Sequence, residues 1–377
     1  MSTVNYSIKS LERFCCDAFE KMGFTKEDAA QITDVLLLAD LYGVRSHGTQ
    51  RLYRYHKHMQ NGCIKVDAKP EIVFETPVSA VIDGHAGMGQ VISAYAMKLA
   101  IEKAKKAGMA FVSVRNSNHY GIAGYYTKMA CDEGVIGLST TNSESIMVHT
   151  GSKKAILGSN PIAFAVPADP IPFWFDAATT VVPRGKIEVY HKENKDLDAG
   201  WAVDNTGSTC TNPERVLECI SNKSLGGGGI LPMGGKDELS GSHKGYGYSM
   251  ICEILSAICS FGATSNHHVR AKDVGAGTCH SFIVIDPAIF GDPEEMKANM
   301  SQFLQELRDA PRADENQPIY THGEKEHYAY QKNMEHGIDV NISTVAEMAS
   351  ICEALGMDQK EYLGDIDVSN VKKGFVS

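Results

Sequence analysis

The chain lacks the features that mark membrane, nucleic-acid and metal proteins. No stretch approaches the ~18 consecutive apolar residues of a membrane span, and Met1 to Leu11 carries no apolar signal core. No long basic run interrupts a formal charge of −10, so nucleic acid is a poor partner. His-Glu-x-x-His and Cys-x-x-Cys are both absent, which disfavours a dedicated metal site. The ten cysteines have no metal-ligand spacing, and we expect buried free thiols in a reducing cytoplasm. The phosphate fingerprints are missing too. Gly84-His-Ala-Gly-Met-Gly89 has its glycines in the wrong order for a dinucleotide turn, Gly226 to Gly229 has no strand and helix around it, and no Walker pattern occurs. On motif grounds a Rossmann dehydrogenase and a P-loop enzyme are excluded. There is no internal repeat and no low-complexity tail.

What remains is an ordinary globular composition, 43% hydrophobic and 22% charged over 377 residues. At roughly 150 residues per domain this length suggests two or three lobes. Ser7 caps a helix running to Met22, and Thr25-Lys-Glu-Asp28 is a capping box for the next. A third helix is expected from Gly48 to Gly62, carrying Arg51 and Tyr55. The period then changes. Strands are expected at 79–83, 109–114, 135–141, 162–166, 173–176 and 281–285, with helices at 90–107 and after Gly121. This alternation indicates an α/β fold. Residues 185 to 240 read as a loop-rich excursion, and Lys244 to Phe261 as a buried helix. The helices 294–308 and 343–355 are expected to pack with those at the N-terminus.

Two histidines stand where chemistry is feasible. His119 follows an apolar strand inside Asn116-Ser-Asn-His-Tyr-Gly121, and an imidazole held at a strand end can exchange a proton near neutral pH. His47 lies four residues before Arg51, whose guanidinium can grip a carboxylate through two parallel bonds. The pair points to an anionic carbonyl substrate. His267, His268, His280, His322 and His327 are expected on loops or the surface. Gly158-Ser-Asn-Pro161 and the helix opening at Ser242-His-Lys244 are candidate phosphate contacts, Lys244 sitting at the positive helix end. A remote alternative is a metal-dependent hydrolase using His47, His119 and Glu144.

The motifs also occur in one order: Ser46-His-Gly48, Asn118-His119, Gly158-Ser-Asn-Pro-Ile-Ala-Phe-Ala-Val-Pro167, Asp176-Ala-Ala-Thr179, Arg184-Gly-Lys186, Gly200-Trp-Ala202, Leu231-Pro-Met-Gly-Gly235 and Lys244-Gly-Tyr-Gly247. This set resembles the malate/L-lactate dehydrogenase family of the second type, from about residue 8 to residue 340. That family also includes ureidoglycolate and sulfolactate dehydrogenases, diketogulonate reductase and cyclic imine reductases. The resemblance implies a mixed-sheet, non-Rossmann dinucleotide-binding lobe with an added, mostly helical domain built from both chain ends. It also implies NAD or NADP as cofactor, and a homodimer with active sites near the interface. We expect a helical domain at 1–75 plus 290–377, a central α/β domain at 76–125 plus 245–289, and a cofactor lobe at 126–244.

By position, His47 and Arg51 match the family's substrate contacts and His119 its acid/base. Ser143, Asp176, Ala177, Ala178, Thr179, Thr180, Val181, Val182, Lys244, Gly245, Gly323, Glu324 and Lys325 match its dinucleotide contacts. The implied reaction moves a hydride between nicotinamide and a small 2-hydroxy/2-keto acid, malate/oxaloacetate or L-lactate/pyruvate. A protonated imidazole, His119 ahead of His47, donates to the carbonyl oxygen, while His47 orients it. Glu144 departs from the pattern. An acidic group in the pocket repels a dicarboxylate unless it is paired or protonated.

Overall fold

The computed structural model describes residues 3–269, 275–371 and 373. Residues 1–2, 270–274, 372 and 374–377, which fall in the expected helical and central domains, lie outside the described residues.

Capping chemistry starts the first helices. Strand β1 (Thr3–Tyr6) leads to Ser7, whose hydroxyl accepts the Ser10 amide and opens α1 (Ile8–Lys21). Thr25 does the same for α2 (Lys26–Leu41) through the Asp28 amide. The third helix begins later than Gly48. Two 3-10 turns, Arg45–His47 and Thr49–Arg51, precede α3 (Leu52–Gln60). The buried carboxylate of Asp40 takes the Thr49 amide at 2.8 Å, and a Cβ on Gly48 would overlap that carboxylate. Glycine is therefore required where the two turns meet, and the break sets the directions of His47 and Arg51.

The α/β body follows: β2 (Glu71–Thr76), β3 (Ser79–Asp83), α4 (Gly89–Ala107), β4 (Met109–Ser117), α5 (Gly124–Asp132) and β5 (Ile136–Thr141). Next come β6 (Met147–Val148), β7 (Ala155–Leu157), β8 (Ile162–Val166), β9 (Phe173–Ala177), α6 (Arg184–Lys192), β10 (Ala202–Val203), α7 (Pro213–Ser221) and β11 (Gly229–Ile230). The chain closes with α8 (Ser242–Glu253), β12 (Thr278–Ile285), α9 (Pro293–Arg308), α10 (Glu324–His336), β13 (Ile338–Asn341), α11 (Ile342–Leu355) and α12 (Gln359–Leu363).

Seven strands form one mixed sheet in the order β2-β3-β4-β12-β5-β8-β9. The pair β3 and β4 is parallel, joined by the α4 crossover, and its other neighbours are antiparallel. The late strand β12 inserts between β4 and β5, so this sheet runs through the boundary expected at 125/126. A smaller sheet, β10-β11-β6-β7, carries α6 and α7. The excursion at 185–240 is thus not loop-rich throughout. Asn212 caps α7 with Pro213 in its first turn, and Val216, Leu217 and Ile220 bury a helical stripe.

The chain ends meet. β1 pairs with β13, and Leu11, Phe14, Leu36 and Leu52 share a core with Val345, Met348 and Ile351. Helix α9 stands apart from that core, burying Leu304 and tying to Asp169 through Ser301 and Lys297. The 244–261 helix is not buried as expected. α8 runs into a π turn at Ile254–Ile258, and Ile251, Ile254, Ile258 and Phe261 are exposed. Near-uniform apolarity conceals which face meets the core.

Candidate active site

A cleft of about 530 Å³ collects segments from across the chain, a size usual for small-molecule sites. The turns before α3 supply His47 and Arg51, and α3 supplies Arg54 and Tyr55. The loop after β4 supplies His119, and that after β5 supplies Ser143 and Glu144. Asp176, Ala177, Ala178, Thr180 and Val181 line it at and after β9, and Arg184 and Gly185 at the start of α6.

The His119 loop is held from several sides. The Asn118 amide donates to the carbonyls of Cys63, Ala86 and Gly87 at 3.2, 2.9 and 2.9 Å, and its oxygen accepts the Ala276 amide. Gly89, at the start of α4, sits so close that a Cβ there would overlap the carbonyl oxygens of Asn118 and His119. Such packing limits drift of the imidazole, a requirement for positioned proton transfer.

The two expected histidines stack, ring centroids 5.4 Å apart and planes at 24°. The Ser46 hydroxyl lies 2.8 Å from Nδ1 of His47. Burial first, then the charges of Arg51 and Arg54, push His47 down to about 3. Burial, followed by His47, Arg51 and Arg54, also holds His119 well below the ordinary histidine value. The protonated imidazole expected from a free histidine is therefore disfavoured; both rings are neutral in the free protein. His119 Nδ1 accepts the Gly121 amide at 3.3 Å and meets the Tyr55 hydroxyl at 2.7 Å.

Arg51 donates from Nε to the Ser46 carbonyl at 2.5 Å, which fixes the plane of its fork. Glu144 is paired. Arg184 Nη1 reaches it at 2.9 Å, and Arg54 Nη2 lies 3.9 Å away. Arg184 also bonds Glu188 at 3.0 Å, and Lys186 lies over the Trp201 ring at 5.0 Å. Asp176 accepts the Gly124 amide at 2.7 Å at the start of α5, and burial raises its carboxyl to about 6.

The remaining nominated residues divide. Thr179 bonds the Ser159 carbonyl, and Val182 belongs to the core under α6 and α7. Lys244 is exposed on the first turn of α8, while Gly245 packs against the backbone of Met233, itself on the cleft wall. Gly323 abuts Trp174, Glu324 pairs with Arg308 and accepts the Thr321 amide, and Lys325 covers Tyr320. None of these three is on the cleft lining; Glu326 is the part of that segment that lines it. Asn160, a nominated phosphate contact, is instead a buried staple: it accepts the Ser143 amide and donates to Glu253 at 2.7 Å. His280 is not on the surface. It is fully buried in β12, stacked on Tyr120 at 4.4 Å and bonded to Thr141 and Ser117. Tyr55, Trp174, His268 and Glu326 also line the cleft, with no role in the site expected from the sequence. Of these only Tyr55 carried a signal, four residues beyond Arg51 on the same helical face.

A family model described as malate/L-lactate dehydrogenase matches residues 6–349. The chain belongs to this family. A malate dehydrogenase of Pyrococcus horikoshii is 42% identical, over 92% of this chain and 94% of its own. An L-sulfolactate dehydrogenase of Methanocaldococcus jannaschii is 37% identical over 93% and 97%. The crystal structure of a malate dehydrogenase from Entamoeba histolytica superposes with a TM-score of 0.91 at 38% identity, covering 95% and 99%.

As a member of the malate/L-lactate dehydrogenase family, the chain is an oxidoreductase acting on the CH–OH group of hydroxy acids. Its fold is mixed α/β, and family membership implies a nicotinamide cofactor. The cleft fits such a ligand. Thr180 Oγ1 is buried on its wall with no hydrogen-bond partner among the described residues, an acceptor and donor awaiting a polar ligand. Among the described residues no helix is long and apolar enough to cross a membrane.

Proposed function

We propose that the enzyme interconverts oxaloacetate and malate with NAD, His119 serving the proton step, His47 orienting the carbonyl and Arg51 holding the 1-carboxylate. The observation that carries this reading is that His47, His119 and Arg51 line one cleft with Glu144 already paired to Arg184. A paired Glu144 no longer opposes a second anionic group, and Arg54 beside it supplies positive charge. Malate and L-sulfolactate, the substrates named for two relatives, share that second anion. Ser143, Asp176 to Val182, Lys244, Gly245 and Gly323 to Lys325 are read as the dinucleotide's surroundings. The cofactor supplies or accepts the hydride; Arg51 and His47 align the keto acid, and the developing alkoxide takes its proton at the histidine pair. Arg184 is engaged by two carboxylates and Lys186 by Trp201, so neither is read as a clamp for a 2′-phosphate. The same pairing of Glu144 weakens the metal-hydrolase alternative.

A panel of oxaloacetate, 3-sulfopyruvate, pyruvate, a cyclic imino acid and ureidoglycolate, each with its matching form of NAD and NADP, checks this. Oxaloacetate with NADH should exceed pyruvate by roughly tenfold or more in kcat/KM. Pyruvate as the better substrate would remove the second anion site, and silence throughout would remove the dehydrogenase reading.

The exposed apolar stripe of Ile251, Ile254, Ile258 and Phe261 supports a homodimer in which a second copy would cover it. The chain runs from this stripe to His268 on the cleft, linking the dimer face to the site. Light scattering should give twice the 41.0 kDa chain mass, and Ile258→Glu should halve it. A wild-type mass of one chain refutes the dimer. With its free cysteines, the protein is suited to a reducing cytoplasm.

A further inference from the structure

We propose that Tyr55 is the proton source behind His119, and that the imidazole works as a neutral relay in which Nε2 gives a proton as Nδ1 receives one. This rests on the assignment of His119 to the proton step.

The tautomer follows from the bonding partners. A backbone amide can only donate, so the Gly121 N–H makes Nδ1 of His119 the acceptor and leaves the ring proton on Nε2. The Tyr55 hydroxyl meets the same Nδ1 at 2.7 Å, and the Gln90 side-chain amide donates to the phenol oxygen at 2.9 Å. Tyr55 thus takes one hydrogen bond from Gln90 and spends its own proton on His119. Protonating both ring nitrogens would bury a cation beside Arg51 and Arg54, which disfavours an imidazolium. The relay keeps the ring neutral, and the Nδ1–H it forms donates to the phenolate in place of the long Gly121 contact.

A neutral ring cannot simply lose its Nε2 proton, because that leaves an imidazolate. The relay avoids this. As the keto carbon receives the hydride, the carbonyl π pair moves to oxygen and takes the Nε2 proton. The N–H bonding pair stays in the ring, the Nδ1 lone pair captures the Tyr55 proton, and the O–H pair remains on the phenolate. Gln90 continues to donate to that oxygen, and Arg51 and Arg54 favour its charge. Burial pushes the phenol up to about 12, yet an alkoxide resembles hydroxide, whose conjugate acid lies near ~15.7, so the proton still runs downhill. After product leaves, Nδ1 returns its proton to the phenolate and solvent in the cleft reprotonates Nε2, which resets the starting tautomer. Oxidation reverses each transfer. Tyr55 is a positioning and proton-supplying residue acting through His119; its hydroxyl is buried against Gln90.

The test combines spectroscopy and kinetics. In ¹⁵N-histidine-labelled protein, with the His119 signal assigned from His119→Gln, the free wild type should show protonated Nε2 and bare Nδ1 without any substrate. A protonated Nδ1 overturns the relay. Tyr55→Phe keeps the ring but removes the proton: kcat for oxaloacetate reduction should fall roughly 10²-fold with KM within about threefold. The wild-type rate should bow with deuterium fraction, as for two protons in flight, and straighten in Tyr55→Phe. A straight wild-type plot, or a variant within about twofold of wild type, also overturns it. If the wild type turns over no keto acid, the assigned reaction fails, while the tautomer measurement still decides the bonding that the relay requires.

Discussion

His119→Ala should lower kcat for keto-acid reduction by roughly 10²-fold or more, the usual worth of a positioned proton donor. The reason is geometric as much as chemical. The ring is held by Gly121, Tyr55 and the stack on His47, and its removal leaves the nascent alkoxide without its nearest donor. His119→Gln separates two contributions, since an amide can still hydrogen-bond the carbonyl but cannot transfer a proton. KM should recover toward wild type while kcat stays low. The pH dependence has a defined sign. Histidines pushed downward are neutral above their lowered values, His47 at about 3 and His119 well below its usual range. The kcat/KM profile of the wild type, which reports free-enzyme groups, should therefore show no histidine limb between about pH 6 and 8. If His47→Ala produces the larger, pH-dependent loss, the roles of the two rings are exchanged.

Arg51→Lys should raise KM for 2-keto acids roughly tenfold or more, with a smaller change in kcat. The lysine keeps the positive charge that helps hold both imidazoles neutral, so the pH profile should not move. What it loses is the planar fork. Nε anchored on the Ser46 carbonyl sets the direction of the two terminal nitrogens toward the cleft, and an ammonium cannot reproduce that pair. A hydrogen bond to a charged partner contributes about 1.5–3 kcal/mol, which corresponds to the stated change in KM. An unchanged KM would take Arg51 out of the substrate pocket.

The elements with short-range signals were legible in the sequence. Ser7 and Thr25 mark their helix starts, and short apolar runs bounded by turn residues mark β3, β8 and β9. The break before α3 was not, because it depends on Asp40 reaching Thr49 beside a glycine. Helices α6 and α7 were hidden by polar, turn-rich composition, although Asn212-Pro213 is a legible start. His280 looks like any loop histidine until β12 enters the centre of the sheet between β4 and β5.

The amino-acid sequence by itself determined the chemical vocabulary: two imidazoles, a guanidinium, no dinucleotide fingerprint and no metal motif, in an order that resembles one dehydrogenase family. Only the tertiary structure decided the charge states and the partners. A proton's location depends on burial and on donors brought from distant segments, such as Tyr55 and Gln90 against His119, or Arg184 against Glu144. Those distances exist only after the chain has closed on itself, so no local pattern encodes them.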